Sequence, residues 1–318
     1  MAARTRYAPD RGLTARMTAT MFLLGLVFVA FVALVVGLMS AYGASAASIV
    51  LVAVVLGGGM AIGSLFYSDK IALRTAGAME VTPEQAPELH GVVDRLCALA
   101  DMPKPRVAIA RSPMPNAFAT GRSADKAVLC VTTGLLQTLN KDELEGVIAH
   151  EMSHVAHKDV QVMTIASFLA IVAALMIRFA FYGELFGGGR GRGGNQGYFF
   201  LVMLALMAVS IIVYAISFLL IRLLSRYREL AADRSGALLT GQPSALKSAL
   251  IKVSSNMNRI PTRDLRAAEP LNAFYFAPAM RLNAGTTLST IFSTHPSLER
   301  RLAELDKVQQ QLSGGGPR

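Results

Sequence analysis

From Met17 to Ser40 the chain reads MTATMFLLGLVFVAFVALVVGLMS without one charged side chain. That is longer than the ~20 apolar residues a helix needs to cross a ~30 Å hydrocarbon layer. Inside lipid every backbone N–H and C=O must find a partner within the protein, so such a run is read as a helix. A second uncharged run follows from Ala44 to Ser68. Only Ala41-Tyr42-Gly43 separates the two, which predicts a tight helical hairpin with both ends on one side. A secretory signal peptide is the competing reading, because Arg4, Arg6, Arg11 and Arg16 precede the run and Ala44-Ser45-Ala46 resembles a cleavage site. The run exceeds the 7–15 residues of such a segment, and a second apolar run comes after it.

A further apolar pair, Val160 to Tyr182 and Tyr198 to Ile221, is joined by a glycine-rich stretch after Phe186. Arg178 interrupts the first of these near its end, where its long stem can carry the charge to the interface. A buried or partly inserted hairpin stays open as an alternative for this pair. Basic residues cluster before the first run, after the second (Lys70, Arg74) and after the fourth (Arg222, Arg226, Arg228, Arg234). Four crossings bring all these clusters to one side, and the excess of positive charge makes that side the cytoplasm.

Overall, 53% of residues are hydrophobic and the net charge is +10. A basic balance suits nucleic acid or an anionic membrane face equally; the uncharged runs decide for the lipid bilayer. The glycine-rich stretch carries only Arg190 and Arg192 and no interleaved aromatics, so it reads as a connector, with no nucleic-acid partner. Cys97 and Cys130 have no CxxC spacing and are expected to be buried, reduced thiols.

The polar segment from Asp69 to Asp159 has the pattern of an α+β domain. Leu89, Val92, Leu96 and Leu99 recur at helical spacing, predicting a helix over Glu84 to Ala100. Strands are predicted at Arg106 to Ala110, Ala117 to Thr120 and Ala127 to Val131, punctuated by prolines and by Gly121. Asn140 followed by Glu143 resembles a capping box, so a helix is expected from Lys141 to His157.

Inside that helix lies His150-Glu151-Met152-Ser153-His154, an HExxH motif. One helical turn separates the two imidazoles, which places both on one face within reach of one zinc ion. Glu151 beside them can act as general base toward a water that zinc has acidified. The bland alternative is a helix with two surface histidines. A catalytic zinc usually takes a third protein ligand, and the candidates are His157, Asp159, Glu229, Asp233 and His295. His157 is about 10.5 Å along the axis from His150, too far to share one ion. Glu229 and Asp233 are one turn apart just after the fourth apolar run, and two crossings return the chain to the side it left after His154. On that argument Glu229 ligates and Asp233 orients an imidazole. An exposed helix salt-bridged through Arg228 and Arg234 is the alternative.

With these residues in place, the chain resembles the HtpX family of bacterial membrane zinc metalloproteases, relatives of the CAAX prenyl proteases. HExxH is present as His150 to His154 and the family's downstream ExxxD as Glu229 to Asp233, with Asp159 where the family tends to have an acid. Leu230 departs from the aromatic residue common there. The resemblance implies that Asn116, Ala117 and Phe118, in an Asn-Ala-Phe segment, belong to an edge strand that receives substrate backbone. It also implies that His295, in His295-Pro296, approaches the zinc and stabilises the oxyanion; the local alternative is a helix start, with Thr294 or His295 as cap and Pro296 first in the helix. It implies polypeptide substrates, degradation of damaged membrane proteins under stress, self-cleavage, and a multi-pass location in the bacterial inner membrane.

The expected fold is therefore an α-helical membrane protein with an α+β zincin-like catalytic domain, mostly helical with one small sheet. Its parts are a hairpin at 1–68, a first catalytic segment at 69–159, a second hairpin at 160–222, a second catalytic segment at 223–312 and a short tail at 313–318. The stretch from Pro261 to Phe292 is read as a cover over the cleft. Two other functions compete. A metal transporter would place its ligands within the spans, yet the apolar runs hold no His, Asp or Glu, Glu184 lying just past one end. A structural zinc site would be closed by a fourth protein ligand and would not need Glu151. Oligomeric state is not readable from the sequence.

Overall fold

Four long helices carry the apolar runs: α1 (Arg11–Ala41), α2 (Ala46–Ala76), α6 (Asp159–Gly187) and α7 (Gln196–Thr240). The computed structural model describes residues 11–41, 46–187, 196–257 and 295–314. The predicted turn after Ala41, most of the glycine-rich connector, the stretch 261–292 and the end of the tail lie outside them. Among the described residues, three helical stretches are long and apolar enough to cross a membrane: Arg11–Leu38, Asp159–Tyr182 and Phe200–Thr240. Large apolar side chains such as Phe22, Val29, Phe181, Phe200 and Ile212 are exposed along them. In water such a surface would be a liability, whereas in a bilayer it is the lipid-facing side. The protein is a multi-pass membrane protein.

The chain divides into two compact units, one of residues 16–64 and 162–224, the other of residues 1–15, 65–161 and 225–318. In the first, Leu24, Phe31 and Val35 of α1 pack with Val172, Ala173 and Met176 of α6 and Met203 and Leu206 of α7. Gly57 of α2 lets that helix approach α6 closely, since a Cβ there would meet Val172 Cγ2 at 2.9 Å.

The second unit holds β1 (Ala78–Glu80), α3 (Pro87–Ala100), β2 (Arg106–Ala110), β3 (Ala117–Thr120), β4 (Val128–Thr132), α4 (Thr133–Thr138), α5 (Lys141–Ala156), α8 (Pro243–Met257) and α9 (Leu298–Ser313). Its sheet has the order β1-β2-β4-β3, with β2 and β4 parallel and the outer pairings antiparallel. β4, central and buried at all five positions, is the apolar strand that such a place requires. β3 is an edge strand. Val93 and Leu96 of α3, Leu129 and Val131 of β4, Ile148 and Met152 of α5, Leu246 and Leu250 of α8, and Leu305 and Val308 of α9 share one core. At about 1.5–3 kcal/mol for each large side chain buried, this cluster is what holds α5 and α9 in place.

Several boundaries differ from the sequence expectation. α3 begins at Pro87 rather than Glu84, because Thr82 to Gln85 close a turn in which the Gln85 side chain accepts from the Thr82 amide at 2.9 Å. Pro87 then fits the first turn, where no N–H is needed. α5 ends at Ala156, with His157 as its C-cap. Ser297, not Thr294 or His295, caps α9: its hydroxyl accepts from the Arg300 amide at 3.4 Å and the helix starts at Leu298. Pro296 therefore precedes the helix. Both cysteines are buried and free.

Candidate metal centre

The frame of the site is α5, and its start is firmly set. The Asn140 side chain accepts from the Glu143 amide at 2.9 Å while Glu143 accepts from the Asn140 amide at 3.0 Å. Glu143 is buried and also takes the Ser248 hydroxyl at 2.6 Å and the Lys252 ammonium at 2.8 Å. The capping box thus ties α5 to α8 as well as satisfying its first turn.

Three turns on, His150 and His154 meet edge-to-face with their Nε2 atoms 3.3 Å apart. Glu229 arrives from α7, its Oε1 3.4 Å from His154 Nε2 and its Oε2 3.8 Å from His150 Nε2. All three donors lie within 4.8 Å of one another. Ligands held about 2.0–2.1 Å from a tetrahedral ion would be roughly 3.4 Å apart, so the spacing fits such an ion. His157 is half-buried and outside this group.

The other ring nitrogens are held by aspartates. Asp233, one turn beyond Glu229 on α7, places Oδ1 2.9 Å from His150 Nδ1. Asp159 places Oδ2 2.5 Å from His154 Nδ1. Each carboxylate fixes Nδ1 as the protonated nitrogen and turns Nε2 toward Glu229. Asp159, weighed above as a third ligand, instead stands behind His154. The left-handed Lys158 (φ 56) breaks the chain between α5 and α6 and brings Asp159 back beside the histidine.

Two buried arginines complete the cluster without any motif in the sequence. Arg301 of α9 is 2% exposed and grips Asp233 with Nε at 2.7 Å and Nη2 at 2.6 Å; its Nη1 lies 3.8 Å from Glu229. Arg228 places Nη2 2.5 Å from Asp159. The carboxyls of Glu229, Asp159 and Asp233 outnumber these two guanidiniums even before Glu151 is counted, a donor set whose chemistry suits a metal cation.

Glu151 is 5% exposed and accepts from the backbone N–H of Ala119 on β3 at 3.2 Å. Burial pushes its carboxyl up to about 8; a cation beside it acts the other way. His150 is lowered by burial, against the pull of Asp233. Burial also disfavours a charged His154, but Asp159 and Glu229 outweigh it and raise the group to about 10.

His295 lies next to the same carboxylate, Nδ1 3.0 Å from Glu229 Oε2, and is buried. Just before β3, the Asn116 carbonyl accepts from the Thr132 amide at 2.9 Å and the Asn116 backbone amide donates to Thr132 Oγ1 at 2.8 Å. Phe118 packs into a small cluster with Ala108 and Val128, and Ala117 faces the main core.

Membrane helices joined to an α+β unit in which an HExxH helix meets a distant glutamate define a membrane-bound metalloprotease. Residues 83–309 match the family model of Peptidase family M48. The chain belongs to that family. It is 54% identical to "Protease HtpX homolog 1" of Streptomyces coelicolor over 97% of each chain. It is 50% identical to "Protease HtpX homolog" of Moorella thermoacetica, over 97% of this chain and 98% of the relative. The crystal structure of S. mikatae Ste24p shares the fold at a TM-score of 0.52 and 18% identity, covering 93% of this chain and 67% of that one.

Proposed function

We propose that the protein is a zinc-dependent endopeptidase in which His150, His154 and Glu229 hold the ion, Glu151 is the general base and Asp233 orients His150. The observation that carries this reading is the convergence of three donor atoms within 4.8 Å from α5 and α7, with a buried glutamate next in sequence to the first ligand. A zinc ion there would supply Lewis-acid polarisation of the scissile carbonyl and acidify the attacking water.

The remaining work falls to the chain. Glu151 takes the proton from water and passes it to the departing amine. The Ala119 amide fixes its carboxyl while it does so. β3, with Ala117 and Phe118 and with Asn116 just before it, is the edge strand along which an extended peptide can lie as an added strand. His295, beside Glu229, donates toward the oxyanion. Residues 69–159 and 223–312 form the catalytic domain on the cytoplasmic side, and 1–68 and 160–222 supply the membrane hairpins in the bacterial inner membrane. Substrates of a site so placed would be damaged or misfolded membrane proteins, within protein quality control.

The test is zinc quantification together with digestion of an unfolded casein-type substrate by wild type and Glu151→Gln. The variant is expected to keep one zinc per chain and to lose proteolysis. Unchanged proteolysis would exclude this mechanism.

A further inference from the structure

We propose that Arg301 and Arg228 are positioning residues of the metal site, each acting through the aspartate that holds one ligand imidazole: Arg301 through Asp233 on His150, Arg228 through Asp159 on His154. The proposal rests on the zinc reading above.

The site contains two chains with the same order of groups, arginine to aspartate to histidine. In one, Arg301 binds Asp233 with two N–H groups and Asp233 Oδ1 is shared with His150 Nδ1. In the other, Asp159 Oδ2 is shared between Arg228 Nη2 and His154 Nδ1. Asp233 is 0% exposed and Asp159 3%. Water cannot hold these carboxylates, and an imidazole offers each a single N–H. At Asp233 the planar fork of Arg301 supplies two donors and fixes the plane in which the carboxylate faces the histidine; at Asp159 Arg228 supplies one, through Nη2. The imidazole plane is fixed in turn, and with it the direction of Nε2.

The two arginines reach the site by different routes. Arg228 directly precedes Glu229, so one turn of α7 sends a ligand to one side and a support to the other. Arg301 comes from α9, 68 residues beyond Asp233, and Leu305 and Val308 anchor that helix in the core. The metal site is therefore completed by the C-terminal helix. Metal affinity should depend on α9 although it contributes no ligand.

The test uses the full chain in detergent, stripped of metal and titrated with zinc against a chromophoric chelator. Arg301→Met and Arg228→Met are each expected to weaken zinc binding about 10- to 100-fold, the range for lost partners of metal-ligating histidines. Arg301→Lys, which keeps the charge but not the fork, should restore part of the loss. Arg301→Met with Asp233→Asn should bind no more weakly than the worse single variant, whereas Arg301→Met with Asp159→Asn should bind more weakly than either single variant, because the two changes act on different imidazoles. A purely structural arginine would weaken binding by the same factor whether or not Asp233 is present, and that result would overturn the proposal. So would wild-type zinc affinity in Arg301→Met. Should Arg301→Met fail to fold, the visible spectrum of cobalt-loaded Arg301→Lys decides: an altered ligand field supports the proposal, and a wild-type spectrum with wild-type zinc affinity overturns it. A wild-type chain that takes up no zinc would overturn the metal reading itself, and this proposal with it.

Discussion

Gly236 of α7 lies directly on the backbone of His150. A Cβ added there would come within 2.8 Å of the His150 nitrogen and 3.1 Å of its Cα. The obstacle is helix backbone, which cannot swing aside as a side chain can. Gly236→Ala should force α5 and α7 apart by several tenths of an ångström, between the histidines on one helix and Glu229 on the other. We expect zinc affinity to fall at least about tenfold, as when a support of the ligand shell is lost, with helix content unchanged by circular dichroism. Gly91, exposed within α3 with nothing within 4 Å of an added Cβ, is the control. Gly91→Ala should stabilise the fold by about 0.5–1 kcal/mol and leave zinc binding alone.

The proposed ligand set predicts an order of effects on metal content. Glu229 touches both imidazole Nε2 atoms, whereas His157, although it caps the same helix, is outside the cluster. Glu229→Ala should leave the purified protein with far less than one zinc per chain, and His157→Ala should keep nearly all of it. Elemental analysis after gel filtration reads both, and the reverse order would exclude Glu229 as third ligand.

The sequence carried most of this centre because its parts are local. HExxH needs only helical spacing, and Glu229 with Asp233 repeats that spacing one hairpin later. Asp159 was visible as an acid near the motif, but its role depends on the reversal at Lys158, where a non-glycine residue takes a left-handed conformation that no composition signals. Arg301 had no signal at all. An arginine on an otherwise polar helix reads as solvated, and its burial follows from a contact 68 residues distant. β1 was missed for a related reason: three residues, none fully buried, leave no alternation to read. Its pairing with β2 is a property of the sheet.

The two thiols should be chemically silent. Burial pushes Cys130 up to about 12 and, with help from Asp94, Cys97 up to about 11. Only thiolate reacts with an alkylating reagent. Against an unfolded cysteine near 8.5, the thiolate fraction at pH 8 falls roughly a thousandfold at Cys130 and a hundredfold at Cys97. Iodoacetamide labelling followed by mass spectrometry should therefore modify Cys97 before Cys130 in the folded protein, both far more slowly than in denaturant. Rapid labelling of Cys130 at pH 8 would contradict the buried sheet position it occupies.

The link between β3 and Glu151 can be cut without cutting the sheet. Asn116 exchanges bonds with Thr132 on β4, and alternation along an antiparallel pair then directs the amides of Ala117 and Ala119 outward. The Ala119 amide donates to Glu151 at 3.2 Å. Proline is tolerated on an edge strand where the N–H faces away from the neighbouring strand, so Ala119→Pro should keep the sheet and all three ligand donors. It removes the donor that steadies Glu151, and its ring intrudes where the carboxyl rests. The expected result is wild-type zinc stoichiometry, a melting temperature within a few degrees of wild type, and casein digestion reduced at least about tenfold, within the range that general-base catalysis contributes. Digestion at the wild-type rate, with zinc retained, would mean that Glu151 does not depend on the strand and that the outward amides of β3 take no part in the reaction.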